Sequence, residues 1–141
     1  MSKPVSLSTT KRLPFALDLP IIQAPMAGVQ GSAMAIAVSN AGGLGSIPCA
    51  MLTPDALRSE LQALQAGTTR PYNVNFFCHS PPEPDAARMQ AWMAALKPYH
   101  HALGIDPSAI STGPGRVPFD ATAAALLAEF RPAVVSFHFG L

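Results

Sequence analysis

Charged residues are scarce in this sequence: they make up 12% of its 141 residues and nearly cancel to a net charge of +1. A chain with so little charge has no basic field to attract nucleic acid or an anionic membrane surface, so neither is expected as a partner. Its two cysteines, Cys49 and Cys78, are too few for a disulfide framework, and their spacing fits no zinc motif. No metal site is therefore expected.

Long apolar runs are also missing. No stretch approaches the roughly 20 residues of a transmembrane helix, and residues 1–20 lack the apolar core of a signal peptide. These absences predict a soluble, cytoplasmic protein. The hydrophobic content is nevertheless 49%, so most elements should be buried on more than one side or against a partner.

Fifteen prolines and ten glycines divide the chain into short blocks. Short apolar runs predict buried strands at residues 19–25, 44–47, 72–77 and 133–137. The capping patterns predict helices over residues 32–41 with Ser32 as N-cap, from Pro54 with Thr53 as N-cap, from Asp85 to about Lys97, and after Asp120. The third of these helices carries an apolar stripe of Met89, Trp92, Met93 and Leu96.

The predicted order of elements is β-α-β-α-β-α-α-β, which indicates an α/β fold. Strands that are continuous apolar runs and that alternate with helices are typical of a parallel sheet covered on both faces. A doubly wound open sheet and a (β/α)8 barrel both fit this pattern. Because a complete barrel takes typically about 250 residues, four strands correspond to about half of one.

Candidate ligand-binding residues follow the first predicted strand, because ligands bind at the carboxyl ends of parallel strands in both architectures. In "QAPMAGV" (residues 23–29), Ala24 and Ala27 carry almost no side chain, so a flat ligand can approach the backbone. Pro25 stiffens the exit from the strand, and Met26 offers a soft apolar surface for an aromatic ring. An ordinary strand-to-helix turn would have the same composition.

The glycine-rich stretch "NAGGLGS" (residues 40–46) follows a helix and precedes a strand. A phosphate-binding loop has the opposite order, because the amides that open a helix face the phosphate. The pattern therefore favours a helix end and a close approach of two backbones over a nucleotide site.

Three polar residues lie on the later strands. Asn73 and Asn75 are two residues apart, so they point to the same side of a strand, where a polar ligand or a neighbouring loop must satisfy them. His138 lies at the tip of the last strand, where an imidazole can carry protons near neutral pH. Histidines in such places are also often structural, and the pattern alone leaves both roles open.

Taken together, four motifs resemble those of the nitronate monooxygenases, formerly called 2-nitropropane dioxygenases. The motifs follow one another in order over essentially the whole chain. They are "PIIQAPMAGV" (residues 20–29), "AVSNAGGLGS" (37–46), "YNVNFFCH" (72–79) and "VVSFHFGL" (134–141).

The resemblance implies a TIM barrel that binds FMN non-covalently at its strand tips. It implies that alkyl nitronates, propionate 3-nitronate among them, are oxidised by O2 to a carbonyl compound and nitrite. His138 takes the role of the catalytic residue, either as a base or as the group that orients the nitronate. The residues implied to contact the flavin are Ala24, Pro25, Met26, Ala27 and Asn75.

Members of that family are considerably longer than 141 residues. The expectation is that residues 1–141 form the N-terminal half of a flavin-binding barrel, without the phosphate-binding loops of the later strands. Such a half-barrel is expected to be inactive alone, and to self-associate or pair with the missing C-terminal half. A flavin-dependent enoyl-thioester reductase on the related barrel, a non-catalytic half-barrel and a doubly wound nucleotide-binding module are the alternatives.

Overall fold

The computed structural model describes residues 15–81, 83, 85–110 and 116–140. Within these residues, three parallel strands form one sheet in the order β1 (Gly45–Pro48), β2 (Tyr72–Phe77) and β3 (Val134–His138). The helices of the same residues are α1 (Ser32–Asn40), α2 (Pro54–Gly67), α3 (Ala86–Leu103) and α4 (Ala121–Phe130), with a short 3-10 helix at Pro107–Ala109. The predicted α/β class and the parallel sheet are confirmed.

The prediction of a full strand at residues 19–25 was wrong, because the structure has only a single parallel bridge there, between Ile22 and Leu44. The Leu44 N–H donates to the Ile21 carbonyl oxygen, and the Gln23 N–H donates to that of Leu44, both at 2.9 Å. Prolines at positions 20 and 25 have no N–H to donate, so the ladder cannot extend far in either direction. The segment nevertheless continues the strand order beside β1.

The core lies on the helix-covered face of the sheet. Val74 and Phe76 of β2 are buried there with Leu57, Leu61 and Leu64 of α2. The three leucines follow the spacing of four and three that places them on one side of a helix. Burying each of them stabilises the fold by about 1.5–3 kcal/mol, which fixes α2 against the sheet.

Gly45 shows that the glycine-rich stretch serves packing, as predicted. A Cβ atom built on Gly45 would lie 1.9 Å from the carbonyl oxygen of Ala35 in α1, a distance that no side chain can accept. The first residue of β1 therefore approaches α1 more closely than any residue but glycine allows.

Two of the three predicted N-caps are confirmed: the side chains of Thr53 and Asp120 each accept a backbone N–H at the start of a helix, and Asp85 does the same at the start of α3. The prediction of Ser32 as N-cap was wrong. Gly31 occupies the cap position without a side-chain hydrogen bond, and the Ser32 N–H donates to Glu60 Oε2 at 2.6 Å instead. A carboxylate from α2 therefore replaces a local cap.

Helix α3 is longer than predicted and does not end near Lys97. It continues through Pro98 and ends at Gly104, whose φ of 63° allows the left-handed turn that bonds the last carbonyl groups. Its apolar stripe is not covered by other described residues: Met89 and Trp92 are 60% and 61% exposed, and no residue of the helix is buried. The pattern predicted a helix but could not show what covers it.

Candidate active site

Polar side chains line the face of the sheet that the helices do not cover, towards the carboxyl ends of β2 and β3. The two strands pair in register, so Asn75 lies beside Ser136 and Phe77 lies beside His138. Ser136 is the partner of Asn75 on the neighbouring strand, and His138 lies two residues further along β3. Because alternate residues of a strand share a face, the side chains of Asn75, Ser136 and His138 all lie on this face of the sheet. A continuous apolar core on one face thus leaves a polar site on the other.

The structure brings Asn75 and His138 into contact. His138 Nδ1 lies 3.1 Å from Asn75 Nδ2 and 3.3 Å from Asn75 Oδ1. Asn75 is 1% exposed, whereas His138 is exposed at the tip of β3. The ring of Phe77 stands edge-on to the imidazole at 6.1 Å between centroids. One ring nitrogen is therefore held by a buried amide, and the rest of the ring faces outwards.

Ser136 holds the Asn75 amide from the other side. Asn75 Nδ2 lies 2.9 Å from Ser136 Oγ and 3.2 Å from the Ser136 carbonyl oxygen. Sequence reasoning missed Ser136, although its place two residues before His138 in a strand was a usable signal.

A second polar group lies further back on the same face. Asn73 Nδ2 donates to Ser46 Oγ at 3.2 Å, and the Ser46 N–H donates to Gln23 Oε1 at 3.1 Å. Asn73 Oδ1 and Gln23 Nε2 are buried and have no hydrogen-bond partner among the described residues. Asn73 thus points to the same side as Asn75, as predicted, but it does not contact His138.

Four of the five residues implied to contact a flavin, residues 24–27, follow the Ile22 bridge at the same carboxyl edge of the sheet. The segment is tied to the sheet by Gln30, whose Nε2 donates to the Ala24 carbonyl oxygen at 2.7 Å and to that of Ser46 in β1 at 3.4 Å. Met26 is 53% exposed, Ala24 is exposed, and Pro25 and Ala27 are half-buried. Three strand spacings, about 14 Å, separate this segment from β3, so it does not contact His138.

Burial makes Cys49 an unsuitable nucleophile. Desolvation raises the pKa of its thiol to about 12, with a smaller contribution from the carboxylate of Glu60. The residue also lines an apolar cavity of about 270 Å³ between the sheet and helices α2 and α4, on the opposite face from His138. Cys78 is half-buried, and both cysteines are free thiols. This cavity has none of the polar groups of the candidate site.

Two classes of feature are absent from the part of the chain that the structure describes. No group of three or more His, Cys, Asp and Glu side chains lies close enough together there to hold a metal ion. No helix of the described residues has the length and apolar content needed to cross a membrane.

The residues of the 24–28 segment fit a planar aromatic cofactor. Ala24 and Met26 are exposed at the strand tips, and a Cβ atom added to Gly28 would meet nothing within 4 Å. The buried Gln23 Nε2, at the start of the segment, still has a proton to donate. The small and apolar groups suit the flat face of an isoalloxazine ring, and the donor suits its polar edge. The segment would therefore hold such a ring with its backbone and Met26.

Comparison with known proteins places the chain in a family. The family profile described as nitronate monooxygenase matches residues 10–141. The chain is 44% identical over 126 residues to the nitronate monooxygenase of Paraburkholderia phytofirmans, and 46% identical over 126 residues to that of Pseudomonas aeruginosa. These alignments cover 89% and 88% of this chain but 34% and 36% of the relatives, so the chain spans about a third of their length.

Solved structures agree with this assignment. The nitroalkane oxidase from Streptomyces ansochromogenes matches 89% of this chain and 35% of its own chain, with a TM-score of 0.70 and 34% identity. FabK from Thermotoga maritima matches 88% of this chain and 28% of its own, with a TM-score of 0.56 and 25% identity. Both neighbours are of TIM-barrel type. With motifs, sheet and profile in agreement, the chain belongs to the nitronate monooxygenase family, whose members are flavin-dependent oxidoreductases.

Proposed function

We propose that the protein to which this chain contributes oxidises alkyl nitronates, propionate 3-nitronate among them, with O2 and a bound FMN. The contact between the buried Asn75 amide and the exposed His138 imidazole, at the carboxyl edge of a parallel sheet, is the observation that carries the proposal. That edge is where parallel α/β enzymes bind their ligands. In the net reaction the carbon–nitrogen bond breaks, the carbon gains one oxygen atom, and the nitrogen leaves as nitrite.

The binding of FMN is assigned to the segment after the Ile22 bridge. Ala24, Pro25, Met26, Ala27 and Asn75 would hold the isoalloxazine ring. The bound FMN supplies the electron acceptor for the nitronate and the route from it to O2. These protein residues hold and orient the ring, and they do no chemistry of their own.

His138 acts on the substrate. A nitronate already lacks the proton on the carbon next to nitrogen, so the imidazole orients it by a hydrogen bond to an oxygen of the nitro group. With a neutral nitroalkane, the same imidazole accepts the proton from that carbon. Asn75 holds the ring in place by its contact with Nδ1, and Phe77 limits its rotation from the side.

The proposal is tested by replacing His138 with asparagine in the flavin-loaded protein. Oxygen uptake and nitrite release with propionate 3-nitronate should fall by about 10²-fold, as expected when the group that orients the nitronate is lost. The affinity for FMN should not change. His101→Asn, at the exposed end of α3, is the matched control and should keep full turnover. Unchanged turnover in His138→Asn would remove His138 from the mechanism.

The same assay separates the alternatives. A flavin-dependent enoyl-thioester reductase would oxidise NAD(P)H without any nitronate, whereas nitronate oxidation needs no nicotinamide. A non-catalytic half-barrel would form stable oligomers that contain no flavin. Oxygen uptake that depends on nitronate alone is the result that supports the proposed function against both.

A further inference from the structure

Arg116 lies at the carboxyl edge of the sheet, although it belongs to no helix or strand. The next residue, Val117, donates its N–H to the carbonyl oxygen of Ala50, just after β1, at 2.8 Å. Phe119 donates its N–H to the carbonyl oxygen of Phe77, the last residue of β2, at 2.7 Å. These two bonds hold the backbone next to Arg116 against the ends of β1 and β2.

The side chain of Arg116 reaches the candidate active site. Its Cζ atom lies 5.9 Å from the centre of the Phe77 ring, within the range of a cation–π contact. The imidazole of His138 lies 6.1 Å from the same centre. Arg116 and His138 therefore lie beside one aromatic ring, and their separation cannot exceed the sum of these two distances. A guanidinium that stacks by its face keeps the N–H groups on its rim available.

No acidic side chain neutralises the charge of Arg116. All eight Asp and Glu residues of the chain belong to the part that the structure describes, and neither ion pair found there includes Arg116. The residue is also exposed. A planar guanidinium with free N–H groups binds a carboxylate through two parallel hydrogen bonds. The candidate site therefore offers an anionic ligand a fixed cation close to His138.

We propose that Arg116 is a specificity-determining residue that binds a carboxylate on the substrate while His138 holds the nitronate group. A three-carbon chain with a hydrogen bond at each end spans roughly 10 Å, which is within the separation that Phe77 allows between the two side chains. Nitronates that carry a carboxylate, such as propionate 3-nitronate, are therefore preferred over nitronates with an uncharged chain. The preference in turnover rests on the proposed function, whereas carboxylate binding by Arg116 does not.

The first test compares propionate 3-nitronate with propyl 1-nitronate, which has the same number of carbon atoms but no carboxylate. In the flavin-loaded protein, Arg116→Gln should lower kcat/KM for propionate 3-nitronate by about 10-fold, mainly by raising KM, because a charge-assisted pair is lost. The value for propyl 1-nitronate should not change. Arg116→Lys keeps the charge but loses the paired hydrogen bonds, so its value for propionate 3-nitronate should lie in between.

Arg131→Gln is the matched control, since it removes the same exposed side chain from the opposite edge of the sheet, before β3. It should change neither substrate. Equal losses for both nitronates in Arg116→Gln would show a structural role for Arg116 and overturn the proposal. An unchanged kcat/KM for propionate 3-nitronate in that variant would overturn it as well.

A binding measurement separates this inference from the proposed function. ¹H–¹⁵N spectra of the ¹⁵N-labelled full chain are recorded during titration with 3-nitropropionate and, separately, with 1-nitropropane. The Arg116 Nε–H signal, assigned by its loss in Arg116→Gln, should move with 3-nitropropionate and not with 1-nitropropane. If it does so while wild type oxidises neither nitronate, the proposed function fails and carboxylate binding by Arg116 stands. A signal that does not move with 3-nitropropionate would contradict the role of Arg116, whatever the turnover.

Discussion

Cys49 shows how the surroundings of a single residue set its chemistry. Two free cysteines in the sequence leave open whether either is reactive. Burial against the core of α2 and α4 raises the pKa of the Cys49 thiol to about 12, which keeps it protonated and unreactive near neutral pH. The protonated state of Cys49 is consistent with the proposal that His138, and not a thiolate, is the catalytic residue.

The raised pKa predicts a dependence of stability on alkaline pH. The folded protein keeps the Cys49 proton up to about pH 12, whereas the unfolded chain loses it near pH 9.0. The contribution of this group is thus complete below pH 9.0 and is lost as pH rises towards 12. The free energy of unfolding should fall by about 1.4 kcal/mol per pH unit in that window.

Urea unfolding of wild type and Cys49→Ala at several alkaline pH values measures this effect. Tyr72, whose pKa burial also raises, contributes in the same direction to both proteins, so the difference between their slopes belongs to Cys49. Identical slopes in the two proteins would show that the thiol is not buried in the way described.

Only some residues of the candidate site could be predicted from the sequence. Asn75 and His138 could be predicted because they lie in recognisable motifs at the ends of strands. Ser136 could not, because its importance depends on the register between β2 and β3, which is a property of the folded sheet. The unfilled donor of Gln23 likewise depends on which neighbours the fold supplies.

Helices and strands were predictable where local chemistry decides them. The caps at Thr53 and Asp120 mark helix starts correctly because a side-chain oxygen and the first N–H groups belong to the same few residues. The start of α1 was not predictable in this way, since its acceptor is Glu60 from another helix. The end of α3 was missed because Pro98 lies inside the helix, which continues to Leu103 and ends only at Gly104.

Thr53 and Ser32 allow a true cap to be compared with a residue that only resembles one. Thr53→Ala removes the hydroxyl that accepts the Ala56 N–H at 3.2 Å, and it should lower the free energy of unfolding by about 1 kcal/mol. Ser32→Ala alters the residue that sequence pattern alone named as a cap, and it should change stability by less than about 0.5 kcal/mol. The two losses of stability are compared by measuring the denaturant midpoints of both variants. A larger loss in Ser32→Ala than in Thr53→Ala would contradict the assigned caps.

In the whole molecule, the α/β fold class could be predicted from the alternation of apolar runs and helices. The sequence did not predict which elements pack against the edges of the sheet. Among the described residues, β3 pairs only with β2, and the stripe on α3 faces no other element. A parallel edge of this kind readily takes another strand. We therefore expect association with a second copy or with the C-terminal half of a barrel, as the low charge content already suggests.

If the strand tips of this chain form part of a flavin site, the chain should bind FMN in solution. The purified chain is mixed with excess FMN, separated by size exclusion, and scanned for visible absorbance across the protein peak. We predict flavin bands that co-elute with protein in an oligomeric peak. A colourless protein peak, eluting free of FMN at any size, would contradict the claim that residues 24–27 and Asn75 hold the cofactor.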